Sequence, residues 1–182
     1  MKEIRSIIGI DRPLHIQVTA PDTEGMLGDA DTLLTKIDPE VYVKVPVTME
    51  GIKAIKQMKA RGIHVTGTAI YGKQQGFLAM EAGADYIAPY FNRMENMGLD
   101  SDDVIASLAD MIDLYHYDTQ ILAASFKNAG QIDRAFLAGA HTATMDPSIL
   151  KDILTQPYIT NAVDTFDSDW KTIFGEQTIS EL

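Results

Sequence analysis

Apolar residues follow two rhythms along this chain. Six short runs, at residues 14–18, 41–45, 63–69, 85–88, 120–125 and 140–145, have the length and content of buried strands. Between most of them apolar positions recur at three- and four-residue spacing, the period of a helix with one face in a core. In 49–61 the stripe is Ile52, Ala54, Ile55 and Met58; in 102–114 it is Val104, Ile105, Leu108, Met111 and Ile112. Asn128 followed by Gln131 has the spacing of a capping box and predicts a helix running through Leu137. The junctions repeat: Arg61-Gly62, Ala82-Gly83 and Ala138-Gly139 each close a helical stretch with glycine and lead into a strand. Glycine suits that place because the residue after a helix often needs a left-handed backbone. The stretch 89–101 reads as a loop, and Met145-Asp146-Pro147-Ser148 as an ordinary turn and helix cap. Helix, glycine and strand in repeated succession mean βα units and a parallel sheet. No glycine fingerprint follows the first strand and no phosphate-binding P-loop occurs, so a barrel is expected rather than a doubly wound dinucleotide fold.

Composition narrows the chemistry. A chain of 182 residues is expected to be one domain with a real core. Cysteine is absent, which removes disulfides, thiolate metal sites and a thiol nucleophile, and fits a reducing compartment. Residues 1–18 hold no apolar run of signal-peptide length, and no segment reaches the roughly 20 apolar residues of a membrane span. The expected location is cytoplasmic, with no membrane partner. The net charge of −11 argues against a nucleic-acid partner, which needs a basic face, but leaves room for a small phosphorylated ligand. His15, His64, His116 and His141 are not spaced as metal ligands, so no metal is expected.

In barrels the reacting side chains project from the C-terminal ends of the strands. Here those ends carry Gln17, Lys44, Thr68, Tyr90 and Ser125, each polar at the exit of an apolar run. Lys44 is the most informative. It interrupts an apolar strand expected to be buried on both faces, and Pro46 marks that strand's end. Burial disfavours the ammonium form, and a neutral amine is what Schiff-base chemistry requires. The same position suits an edge lysine reaching solvent, or half of a buried ion pair. Tyr90 reads also as a packing residue, and Thr68 and Ser125 as hydroxyls that satisfy nearby backbone. Arg93 and Lys127 are either solvated loop cations or anion binders.

Together these segments resemble the transaldolase family. Val43-Lys44-Val45-Pro46-Val47-Thr48, followed by Glu50-Gly51, is similar to that family's Schiff-base strand. Gly67-Thr68-Ala69-Ile70-Tyr71, Gln74-Gln75-Gly76, Ala88-Pro89-Tyr90-Phe91-Asn92-Arg93 and Leu122-Ala123-Ala124-Ser125-Phe126-Lys127 match in order and spacing, and Phe166-Asp167-Ser168-Asp169-Trp170 resembles its C-terminal helix. Tyr90 and Gln17 stand where the small fructose-6-phosphate aldolase-like branch has tyrosine and glutamine. The resemblance implies a (β/α)8 TIM barrel acting on a ketose phosphate without cofactor. Lys44 would form the Schiff base, while Gln17, Thr68 and Tyr90 would hold a water for proton transfer. Arg93 and Ser125, with Lys127 as helper, would bind phosphate. It also implies a homo-oligomer, pentameric or decameric, with residues from about 160 to 182 packing on a neighbour.

The chain departs from the family at its start. The family's first strand, with an aspartate, and its second, with a Thr-Asn-Pro motif, have no counterpart, and Met1 falls in what would be the following helix. Six strands stand against the eight of a closed barrel, so the expected domain, 1–182, is an N-terminally incomplete barrel. Two other readings stay open: a sugar-phosphate isomerase or synthase that uses Lys44 only as a charge, and an inactive relative of the aldolases.

Overall fold

Every one of the six expected strands forms, as β1 (His15–Gln17), β2 (Tyr42–Pro46), β3 (Val65–Ile70), β4 (Tyr86–Pro89), β5 (Gln120–Ala123) and β6 (Thr142–Ala143). They come from a computed structural model that describes residues Met1–Leu182. The six strands are hydrogen-bonded in chain order, and each neighbouring pair is parallel. Parallel neighbours need a crossover, and the helices supply it: α2 (Thr23–Lys36), α3 (Met49–Ala60), α4 (Lys73–Glu81), α6 (Ser101–Tyr115) and α7 (Ala129–Leu137), after an N-terminal α1 (Lys2–Ile8).

Local chemistry explains where the helices start and stop. Asp22, Thr48, Asp100 and Asn128 each accept from a backbone N–H three residues on, at 2.9 to 3.0 Å. Gly62, Gly83 and Gly139 have φ of +74°, +89° and +101°, the left-handed backbone expected of them. The capping box at Asn128 is only half made. The Gln131 side chain reaches past Asn128 to accept from the Lys127 N–H at 2.7 Å, and also donates to Asn92. The expectation of a loop at 89–101 needs correction, because a short helix, α5 (Phe91–Asn96), opens inside it. Phe91 and Met94 are its buried residues, a single turn of spacing that is too little for periodicity to register.

The sheet is curled. In a flat sheet β1 and β4 would lie about 14 Å apart, three strand spacings. Instead the His15 ring on β1 meets the Tyr86 ring on β4 with centroids 5.0 Å apart. His15 Nδ1 also lies 2.8 Å from the Thr66 hydroxyl on β3. The architecture is therefore α/β with a six-stranded parallel curled sheet, the arrangement of a partial TIM barrel. Ile16, Val43, Val45, Ile87 and Ile121 alternate with inward residues and are buried. Ala54, Ile55, Met58, Ala79, Ile105 and Leu108 supply the buried side of α3, α4 and α6. At the N-terminal ends of the strands, Asp85 takes Lys59 Nζ at 2.7 Å and the Val65 N–H at 2.7 Å. Arg5 on α1 is ion-paired to Asp38 at 2.6 Å, with both side chains buried to about a tenth of their exposure or less.

By contact the chain divides into two compact units, Met1–Thr144 and Met145–Leu182. The second holds α8 (Pro147–Leu154), capped by Asp146, and α9 (Pro157–Phe174). None of the α9 residues is buried, and Tyr158, Val163, Phe166 and Ile173 are exposed. No helix of either unit is long and apolar enough to cross a membrane.

The turn from β2 into α3 has no spare room. A Cβ on Gly51 would lie 1.8 Å from the Pro46 carbonyl oxygen, so the helix start sits directly against the strand that carries Lys44. Gly51→Ala is expected to cost about 2 kcal/mol through overpacking against backbone that cannot swing away. Gly28→Ala, at an exposed helical position where a Cβ meets nothing within 4 Å, is expected to stabilise by about 0.5 kcal/mol. Urea midpoints of the two variants check both signs.

Candidate active site

Alternation along β2 sets the site. Val43 and Val45 are wholly buried on the convex side, so Tyr42, Lys44 and Pro46 turn to the concave side and stay half-exposed. The expectation that this strand is buried on both faces is therefore met on one face only. Lys44 lines a cavity of about 500 Å3 with Leu14, His15, Tyr86, Leu122 and Thr144. Burial pushes its pKa below the ordinary lysine value, and no carboxylate offsets that. The amine is thus available as a nucleophile at a lower pH than a solvated lysine would be.

One layer toward the N-terminal ends of the strands, the same face is aromatic. His15 stacks on Tyr42 at 4.9 Å, Tyr42 on His64 at 4.7 Å, and Tyr86 meets the His15 ring edge-on. Burial first, and the Lys44 charge second, push the His15 pKa down to about 4. A neutral imidazole therefore sits beside Lys44 across the physiological range, and no second cation competes with it.

At the C-terminal ends of the strands a second group assembles. The Thr68 hydroxyl donates to the Tyr90 hydroxyl at 3.1 Å, which joins the exits of β3 and β4. The Arg93 guanidinium lies over the Tyr90 ring, 4.7 Å from its centroid, and donates to the Tyr71 hydroxyl at 3.2 Å. The Ser125 carbonyl accepts from the Asn92 N–H at 3.0 Å, so the β5 exit is tied to the turn that holds Arg93. Ser125 has φ of +66°, a left-handed backbone that costs a non-glycine residue about 1 kcal/mol and is concentrated at functional sites. Gln17 is the register neighbour of Lys44 across β1 and β2, and its side chain is exposed. Lys127 is exposed as well and is fixed only through its backbone.

The structure thus joins Thr68, Tyr90 and Arg93 by contact, sets Gln17 beside Lys44 by register, and brings Ser125 alongside through the backbone. Lys127 joins none of these contacts. Sequence reasoning gave no role to His15, Tyr86 or Tyr71. For His15 and Tyr86, alternation with buried residues on their strands was the available signal, but which neighbours they meet depends on the curl of the sheet; Tyr71 lies just past the end of β3 and offered no such signal. No group of three or more His, Asp or Glu side chains is placed to hold a metal ion.

A curled parallel sheet that turns a desolvated lysine and a linked threonine–tyrosine pair to one side defines an α/β enzyme built on part of a barrel. The chain belongs to the transaldolase/fructose-6-phosphate aldolase family, whose model matches residues 1–179. It is 45% identical over 179 residues to a probable fructose-6-phosphate aldolase of Streptococcus pneumoniae, covering 98% of this chain and 81% of the relative. It is 37% identical over 161 residues to a probable transaldolase of Chelativorans sp., covering 88% of this chain and 74% of that relative. The protein is an enzyme of the aldolase or transaldolase type.

The depressed pKa of His15 has a consequence for stability. Between about 4 and the unfolded value near 6.5, the unfolded chain binds a proton that the native state does not. Stability should therefore fall as pH drops through that window, and His15→Phe, which keeps a ring against Tyr42, should flatten the fall. Denaturation midpoints of both proteins at several pH values between 4 and 7 measure the difference in slope.

Proposed function

We propose that this chain is a class I aldolase or transaldolase that cleaves a ketose phosphate of the fructose 6-phosphate type through a Schiff base on Lys44. The observation that carries the reading is Lys44 itself, half-buried on the concave face, with a lowered pKa and a cavity open to it. The reaction follows from the groups around it. The neutral amine adds to the ketone, water leaves, and the resulting iminium accepts electrons. Tyr90, linked to Thr68 and acting with a water held by Gln17, removes the proton of the C4 hydroxyl. The C3–C4 bond then breaks, and its electron pair moves into the iminium to leave a three-carbon enamine on Lys44. Glyceraldehyde 3-phosphate departs, its phosphate held by Arg93 and Ser125, with Lys127 as the outer cation. Protonation and hydrolysis release dihydroxyacetone, or a second aldehyde captures the enamine and the unit is transferred. No cofactor enters any of these steps.

In this reading the six strands occupy consecutive places in a (β/α)8 barrel, and the enzyme works in the cytoplasm. It assembles as a ring-like homo-oligomer, pentamer or decamer, through α9. The exposed Tyr158, Val163, Phe166 and Ile173 are the apolar material for that contact.

Incubation with dihydroxyacetone or fructose 6-phosphate, borohydride reduction and peptide mass mapping is expected to place an adduct on Lys44. Lys44→Met should lose the adduct, with turnover falling by about 10³-fold or more. The rate of trapping should rise with pH and level off below about 10.4, the value of a free lysine. An adduct on another lysine, or none from folded protein, would remove the proposal. Deleting residues from Thr160 onward is expected to reduce the mass seen by light scattering to that of a smaller species.

A further inference from the structure

We infer that Tyr71 is a positioning residue that holds Arg93 in place for the phosphate of the aldehyde partner; this rests on the reading of Arg93 as a phosphate ligand. An exposed arginine normally samples many rotamers, and ordering it when a ligand binds costs affinity. Arg93 is exposed, yet two tyrosines restrain its guanidinium. Its Cζ rests 4.7 Å above the Tyr90 ring centroid, and Nη1 donates to the Tyr71 hydroxyl at 3.2 Å. One of its five N–H donors is used at Tyr71, which leaves the others free for an anion. Tyr71, Arg93, Asn96 and Met97 line a cleft of about 430 Å3.

Tyr71 is in turn fixed from both ends. Its ring meets Tyr90 edge-on, with centroids 5.6 Å apart and planes at 74°. Its backbone N–H donates to Gln75 Oε1 at 2.9 Å. The Gln75 amide donates at its other end to the carbonyls of Val47, at 3.1 Å, and Ala69, at 3.2 Å. Ala69 is left-handed, with φ of +57°, where the register of β3 against β4 shifts between Gly67 and Ile70, so the last residues of β3 before Tyr71 are re-aimed. A single amide therefore clips the exits of β2 and β3 together and presents Tyr71 to Arg93. Through this linkage the guanidinium is registered against the Tyr90 hydroxyl, so a gripped phosphate is held at a set distance from the proton-transfer group.

Tyr71→Phe keeps the ring contact with Tyr90 and removes only the oxygen that accepts from Arg93. It is expected to raise KM for glyceraldehyde 3-phosphate about threefold to tenfold, with kcat little changed. Addition of dihydroxyacetone to unphosphorylated glyceraldehyde should be unaffected, and so should the borohydride adduct on Lys44. In an Arg93→Ala background the substitution should have no further effect. Equal losses with both aldehydes, no loss with either, or a phosphate-specific loss that persists without Arg93 would each overturn the inference. If Arg93→Ala itself fails to separate the two aldehydes, the phosphate reading of Arg93 falls and the role of Tyr71 with it. If Arg93→Ala separates them and Tyr71→Phe does not, only the positioning role falls.

Discussion

Successive side chains of a strand point to opposite faces, so the helices that bury Val43 and Val45 oblige β2 to turn Tyr42 and Lys44 the other way. The same rule acts on β1, β3 and β4, and the curl of the sheet then gathers the inward residues together. His15, Thr66 and Tyr86, from three different strands, become contact partners only because of that curvature. Lys44 is desolvated without being sealed, since it stands on a concave surface between an aromatic layer and the strand exits. A one-residue slip of β2 would bury a charge under α3 and expose valines to the cavity. Hydrophobic packing on the outside therefore decides where the Lys44 amine lies on the inside.

This explains which parts of the molecule were legible in the sequence. Strand runs, helix stripes, caps and the glycines at 62, 83 and 139 are local patterns, and the structure reproduces them with ends shifted by a few residues. α5 was missed because its two buried residues, Phe91 and Met94, are one turn apart and its cues are tertiary. Gln131 has the spacing of a capping residue, yet its side chain spans from the Lys127 N–H to Asn92, 39 residues away in the chain, which only the folded arrangement brings near. Site residues divide in the same way. Lys44, Thr68 and Tyr90 stood out as polar residues ending apolar runs, whereas His15 and Tyr71 have roles set by neighbours 51 and 22 residues away in the chain.

The chain carries a net charge of −11, yet Arg93, Lys127 and Lys44 all lie at or near the exits of the strands. Ion-paired carboxylates lie at both ends: Asp85 on Lys59 and Asp38 on Arg5 at the opposite ends of the strands, and Glu50 on Lys53, Asp103 on Lys73 and Glu95 on Arg134 in the helices that follow the exits. A small anion is governed by the charges within a screening length of about 8 Å at physiological ionic strength, not by the total. An acidic protein can therefore hold a small anion against cations such as Arg93, which forms no ion pair, while repelling polyanions.

The close seating of α3 against the Pro46 carbonyl bears on how such an enzyme can diversify. The β2–α3 junction admits no side chain at Gly51 without a shift in the backbone that ends the strand carrying Lys44. The exits of β3, β4 and β5 are bound largely by side-chain and turn contacts that can be re-drawn, as at Gln75, Arg93 and Ser125. Changes around the strand exits are thus channelled to three loops, and the Lys44 amine stays where the fold has set it.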